Sequence, residues 1–157
     1  MNFRCMFFHA LHNFYKVPHT IHMLIRYIIY GLLGWNIEII WTGFTSLANG
    51  SKNLMGHTSI WMFFIYGAAV FLFEPVHTWI ANLHWFWRGC IWMLLIFFIE
   101  LVSGLLLKLF GIQAWAYTGP TAVLGVIRLD YAPLWFAVGL IFEKIHHILL
   151  SYHIGMK

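Results

Sequence analysis

The sequence predicts an all-α integral membrane protein, a four-helix bundle preceded by an amphipathic interfacial N-terminal helix. Three observations carry that expectation. Of the 157 residues, 62% are hydrophobic and 9% charged, whereas a soluble domain is about half apolar and a quarter charged. Four stretches match the roughly 20 apolar residues that a helix needs to cross a bilayer. Basic residues fall near the ends of those stretches, which is how membrane orientation is set. A water-soluble fold of this size cannot hide so much apolar surface. Soluble, fibrous, disordered and disulfide-scaffold classes are therefore excluded.

Residues 1–20 read as a separate element. Phe3, Met6, Phe7, Ala10, Leu11, Phe14 and Tyr15 recur at helical spacing, with Arg4, His12, Asn13 and Lys16 on much of the other face. That pattern suits a helix lying flat in the headgroup layer. Residues 21–157 form a single membrane domain with spans at Leu24–Phe44, Ile60–Ile80, Cys90–Phe110 and Tyr131–Ser151. The first link, Thr45–Ser59, is rich in Gly, Asn and Ser and reads as a surface loop. The second is Ala81–Gly89. The third, Gly111–Asp130, carries Trp115, Tyr117 and Pro120 and is expected at the interface. Gly31, Gly34, Gly67 and Gly104 are placed to allow close helix approach. Pro75, directly after Glu74, predicts a kink or the end of a span.

Four spans put both termini on one side. That side carries Arg4, Lys16, Arg26, Arg88, Lys144 and Lys157, against Lys52, Lys108 and Arg128 on the other. The positive-inside rule makes the first side cytoplasmic. No compact apolar core with a small-residue cleavage site opens the chain, so the first span is expected to serve as its own insertion signal. The formal net charge of +4 is scattered rather than clustered. The expected partner is the lipid bilayer, and no nucleic acid is implied. Cys5 and Cys90 fall on the cytoplasmic side and read as free thiols.

A short internal repeat is visible. Ile37–Ile40 (IEII) resembles Ile99–Val102 (IELV), and Phe73–His77 (FEPVH) resembles Phe142–His146 (FEKIH). Two spans per repeat preserve orientation, so the expected architecture is a 2+2 parallel duplication about an axis along the membrane normal.

Four of the five acids lie inside spans, one in each: Glu38, Glu74, Glu100 and Glu143. A carboxylate at bilayer depth costs several kcal/mol, roughly 2.5–3.5 on insertion scales. Such groups must face one another, a partner or a polar cavity. Tyr30, Asn36, Tyr66, His77 and Trp92 are available as packing partners, and a site for a substrate, ion or proton is the alternative. Glu74–His77 and Glu143–His146 are each Glu-x-x-His, with both side chains on one helix face. With Glu100 and Glu38 they match the ligand set of di-iron carboxylate bundles. Depth opposes one shared centre. At about 1.5 Å per residue, Glu38 lies roughly 21 Å from the cytoplasmic end of its span, Glu74 9 Å, Glu100 15 Å and Glu143 12 Å. A metal is thus a secondary expectation, with Glu74, His77, Glu100, Glu143 and His146 as its ligands. The adjacent His146 and His147 are expected to point in different directions. His9/His12 and His19/His22 are further paired histidines, for metal or haem. Most of the 31 aromatics are expected in lipid-facing and interfacial belts.

Gly34, Trp35 and Glu38 resemble the G-W-x-x-E core of the opening span in membrane proteins labelled type IV ABC transporter. Thr58, Ser59 and Trp61, then Phe64, Ile65, Tyr66 and Gly67, then Glu74, resemble the transmembrane protein 229 branch of that group more closely. Glu100, the Trp115-x-Tyr117 element and the last-span Tyr131, Trp135 and Glu143 follow in the same order. The resemblance covers about Tyr30 to His146. Ala116 stands where the family often has Asp, and "NLMGHTSIW" replaces an N-R-G-F-L-x-G-P stretch. The resemblance implies a small multi-span protein without its own ATP-binding domain. No GxxxxGK[ST] loop occurs, so any ATPase is a separate subunit.

The leading functional expectation is a transport-associated subunit or small permease, with a homodimer as a candidate assembly. Glu100 and Glu143 would line the path, Glu74 would gate it from the cytoplasmic side and Glu38 from the outer side. Tyr66, Trp115 and Tyr117 complete the candidate site. A metal-dependent or haem-bearing membrane enzyme built on the Glu-x-x-His pairs, and a structural or assembly protein, are the alternatives.

Overall fold

The computed structural model describes residues 19–151. Four long helices follow one another: α1 His19–Ala48, α2 Ile60–Ile80, α3 Trp85–Leu109 and α4 Ala132–Ser151. Each is long and apolar enough to cross a membrane. The expected interfacial segment lies outside the described residues, apart from His19 and Thr20, which begin α1. Between α3 and α4, strand β1 Ala122–Val123 pairs antiparallel with β2 Ile127–Arg128. A 3-10 turn, Leu129–Tyr131, leads into α4.

Chain direction alternates, so α1 packs along α2 and α3 along α4 as two helical hairpins. The hairpins meet around a core of Tyr30, Val70, Phe73, Trp92, Trp135, Val138 and Phe142. Large apolar side chains on all four helices, among them Phe44, Phe64, Phe71, Trp79, Leu94, Phe98 and Ile141, face outward. An outward apolar surface with charged groups such as Arg26, Glu100 and Glu143 buried inside is the pattern of a protein whose solvent is lipid.

The second span coincides with α2, and the other boundaries move. Helix α1 outlasts its expected end at Phe44 because its hydroxyls turn inward on their own helix. Thr42 Oγ1 donates to Glu38 O at 2.9 Å and Thr45 Oγ1 to Thr42 O at 2.9 Å. Residues that compete with a helix elsewhere are thereby compatible with it here. The helix stops at Gly50, whose φ of +89° favours glycine. Gly50 N–H reaches Leu47 O at 2.9 Å and Ser51 N–H reaches Ser46 O at 3.1 Å, which is a Schellman stop.

Helix α3 begins at Trp85, five residues before the expected Cys90, so the second link shrinks to residues 81–84. His84 caps it, its Nδ1 accepting from Phe86 N–H at 3.4 Å. Helix α2 starts at the cap Ser59 and runs through Pro75 to Ile80, so Pro75 does not end the span.

Close approach is built on small residues. A methyl added at Gly34 would collide with the Tyr66 ring, and one at Gly139 with Trp92 Cβ. Trp92 is almost fully buried, and the atom met is its Cβ, next to the backbone, rather than a flexible side-chain end. Gly139→Val is therefore expected to overpack the α3–α4 seam and destabilise the protein by about 1–3 kcal/mol. Thermal unfolding in detergent reads this directly, and an unchanged midpoint would show that the seam is looser than described.

Candidate functional site

The intramembrane acids fall into two pairs at opposite ends of the bundle. One end, where α1 begins, α2 meets α3 and α4 finishes, is called here the hairpin end. The other, bearing residues 49–59 and the long α3–α4 link, is the loop end.

At the loop end, Glu38 of α1 and Glu100 of α3 line one cavity of about 420 Å³. Glu38 Oε2 accepts from Thr58 Oγ1 at 2.8 Å. Glu100 is 6% exposed, and both its oxygens are held. Oε2 accepts from Trp135 Nε1 at 3.1 Å, and Oε1 from Tyr117 OH at 3.3 Å. Burial, and then the Glu100 carboxylate facing it, push the Tyr117 phenol above its ordinary range, so it stays a neutral donor.

Six aromatic residues, Trp41, Tyr66, Trp115, Tyr117, Tyr131 and Trp135, complete much of the wall. The link that supplies Trp115 and Tyr117 is pinned in place. Trp115 Nε1 donates to Val126 O at 2.9 Å, and Lys108 Nζ to Leu124 O at 2.8 Å. Tyr131 stands edge-on to both Trp41 and Tyr117. Among the described residues, the lining contains no Lys or Arg. Arg128 is turned instead to Asp130 and lies 4.7 Å over the Tyr131 ring. Its hydrogen bonds to the exposed Asp130 carboxylate are the first cause holding the Arg128 guanidinium above its ordinary range.

A smaller apolar gap of about 70 Å³ lies inward from this cavity. Phe73, Trp92, Phe142 and Val138 line it, together with Glu100 and Trp135. The Phe73 and Trp92 rings stack with centroids 4.0 Å apart.

At the hairpin end, Glu74 is engaged by a buried arginine. Arg26 Nε lies 2.6 Å from Glu74 Oε1, and Arg26 Nη2 donates to Oε2 at 3.1 Å. Arg26 is 0% exposed. Glu143 accepts from Trp92 Nε1 at 3.0 Å through Oε2. Its Oε1 lies 3.2 Å from Arg88 Nε and 3.7 Å from His77 Nδ1. Tyr30 OH and His146 Nδ1 are hydrogen-bonded at 2.9 Å. The His77 ring lies 5.1 Å from that of His146 and 4.8 Å from that of His147.

Several expectations change with this geometry. Glu100 and Glu143 do not share a mid-depth path; Glu100 shares its cavity with Glu38. The displaced start of α3 explains the error. Counted from Trp85 rather than Cys90, Glu100 is 15 residues along the helix, roughly 22 Å at about 1.5 Å each. Glu74 is closed by Arg26 rather than open as a gate. The four acids do not converge on a single di-metal ligand set, because each pair lies at its own end. His146 and His147 do point differently, His146 buried against Tyr30 and His147 exposed, yet both rings lie beside that of His77. Tyr66, Trp115 and Tyr117 do meet Glu38 and Glu100 in one cavity.

Arg26 and Arg88 are the important residues that sequence reasoning missed. On the sequence they mark span ends. A usable signal is present nonetheless. Arg26 precedes Glu38 by twelve positions, and Arg88 precedes Glu100 by twelve. The contacts follow suit, with α1 Arg26 on α2 Glu74 and α3 Arg88 on α4 Glu143.

No protein-family model matches the chain, and no solved structure matches it.

Proposed function

We propose that the chain is a small permease or transport-associated membrane subunit whose loop-end cavity binds an organic ammonium cation. The observation that carries this reading is the pairing of Glu38 and Glu100 in one aromatic-walled cavity whose lining includes no Lys or Arg. Aromatic faces attract a quaternary or protonated amine through their quadrupoles. Carboxylates supply the opposite charge, and about 420 Å³ is the size of a small-ligand site. Intramembrane carboxylates facing a polar cavity are functional by default.

The resemblance to the transporter-labelled group supports the same reading, as does a 2+2 parallel duplication. The paired contacts Arg26–Glu74 and Arg88–Glu143 are what a duplicated hairpin would produce. In this reading both termini and the hairpin end face the cytoplasm. The cavity then opens on the outer side. The stacked Phe73 and Trp92, with Phe142, close the inner side. Any energy from ATP comes through a separate ATPase subunit, and a homodimer would place two such cavities side by side. Glu74, held by Arg26, belongs to the assembly of the bundle.

The test is titration of the detergent-purified protein with tetraethylammonium and benzyltrimethylammonium, with benzyl alcohol as the uncharged control. The two cations should bind saturably and the alcohol should not. Loss of a charged contact worth about 1.5–3 kcal/mol weakens binding roughly 10- to 150-fold. Glu38→Gln and Glu100→Gln should each show that loss in protein that still unfolds cooperatively, with Glu100→Gln about 1–3 kcal/mol less stable because the amide meets a buried donor. Absence of saturable cation binding, or wild-type affinity in both variants, overturns the proposal. Uptake by proteoliposomes then separates a permease from a subunit.

A further inference from the structure

We infer that the hairpin end holds a second, independent site: a late first-row divalent metal, of the Zn²⁺ class, bound by His77, Glu143 and His147. One ligand atom from each residue can be chosen so that all three lie within 4.8 Å of one another. Two imidazoles and one carboxylate are a zinc donor set, and three protein ligands leave a fourth position open to water or a ligand. Imidazole donors select against Mg²⁺ and Ca²⁺, which take oxygen.

A second observation points to a ligand. His77 is 6% exposed, yet its Nδ1 has no hydrogen-bond partner among the described residues. A buried ring nitrogen without a partner is costly unless something fills the position. That nitrogen lies 3.7 Å from Glu143 Oε1. The other Glu143 oxygen is fixed by Trp92 Nε1, so the carboxylate is oriented from behind in the manner of a metal ligand. At metal–donor distances of about 2.0–2.2 Å, donors on one ion stand roughly 3.3–3.5 Å apart. The required contraction falls on His147, whose side chain is exposed and can swing inward.

Arg88 competes for the same oxygen. Its Nε lies 3.2 Å from Glu143 Oε1, but its side chain is a quarter exposed and also donates to Ala81 O. A metal entering the site displaces Arg88 toward solvent. His146 is not in the converging group, which is His77, Glu143 and His147, and its Nδ1 is bonded to Tyr30 instead. The site therefore combines one Glu-x-x-His member from each of two helices with the neighbour of the second histidine.

The experiment is Zn²⁺ titration of untagged, chelator-treated protein in detergent, with Co²⁺ as the spectroscopic stand-in. Wild type should bind one ion at this site and give the intense visible band of low-coordinate Co²⁺. His147→Ala, a change at an exposed residue, should weaken binding at least tenfold and lose the band. His146→Ala should keep both. Arg88→Gln should bind several-fold more tightly, since it removes the competing charge. No stoichiometric binding, full binding by His147→Ala, or equal losses in His146→Ala and His147→Ala would overturn the site. Binding of tetraethylammonium by His147→Ala should be unchanged, so failure of this site and failure of the loop-end cavity are separable.

Discussion

Replacing Arg26 with Met is expected to destabilise the protein by about 3–5 kcal/mol, the typical result of removing one partner from a buried ion pair. The pair touches twice, through a hydrogen bond from Arg26 Nη2 to Glu74 Oε2 and a close ion-pair contact between Nε and Oε1. Arg26 is 0% exposed and Glu74 9%. Water cannot take over the arginine's role in the single variant, and the carboxylate is left in an apolar helix seam. The companion experiment removes both charges. Arg26→Met with Glu74→Leu keeps similar volume and leaves no orphan, so it should recover most of the loss. Buried ion pairs often contribute little beyond a well-packed apolar replacement. Reversible unfolding in detergent micelles measures all three proteins. A single-variant loss below about 1 kcal/mol would mean that Glu74 finds another partner, since an unpaired buried carboxylate costs far more.

The same pair shows what the sequence could and could not disclose. Each apolar run was legible because a bilayer demands a fixed length of uncharged helix, and α2 matches its expected bounds for that reason. The exceptional residues were legible too, since an acid in such a run is expensive wherever it points. Their partners were not. Arg26 meets Glu74 across 48 positions and Arg88 meets Glu143 across 55. Only the relative register of two helices decides such pairings. A shift of five residues in the start of α3 was enough to place Glu100 beside the wrong acid. Trp85, Phe86 and Trp87 caused that shift, because interfacial aromatics and a first helical turn look alike in sequence. The cavity was half legible. Tyr66, Trp115 and Tyr117 stood out through their motif context, whereas Trp41 joins the wall only because α1 and the long link converge there.

Trp92 tests whether the two ends are separate sites. Trp92→Ala is expected to cost about 3–5 kcal/mol, the range for deleting a buried large aromatic. Trp92→Phe should cost less, about 1–3 kcal/mol, for one lost donor to a buried acceptor. The difference follows from the two jobs of this side chain. Its ring stacks on Phe73 at 4.0 Å and fills the space beside Gly139. Its Nε1 holds Glu143 Oε2 at 3.0 Å. Phe keeps the first and loses the second, while Ala loses both and enlarges the apolar gap that Trp92 lines with Glu100. Unfolding in detergent separates the two costs. Equal losses would assign the whole effect to the hydrogen bond, and no loss in either variant would remove Trp92 from the core. A functional readout accompanies the stability one. With the plug gone, the loop-end cavity gains a route toward the hairpin end, so Trp92→Ala in proteoliposomes should leak small organic cations that Trp92→Phe retains. If both stay tight, closure between the two ends does not rest on this ring, and the packing of Phe73 and Phe142 against Tyr30 must seal the bundle alone.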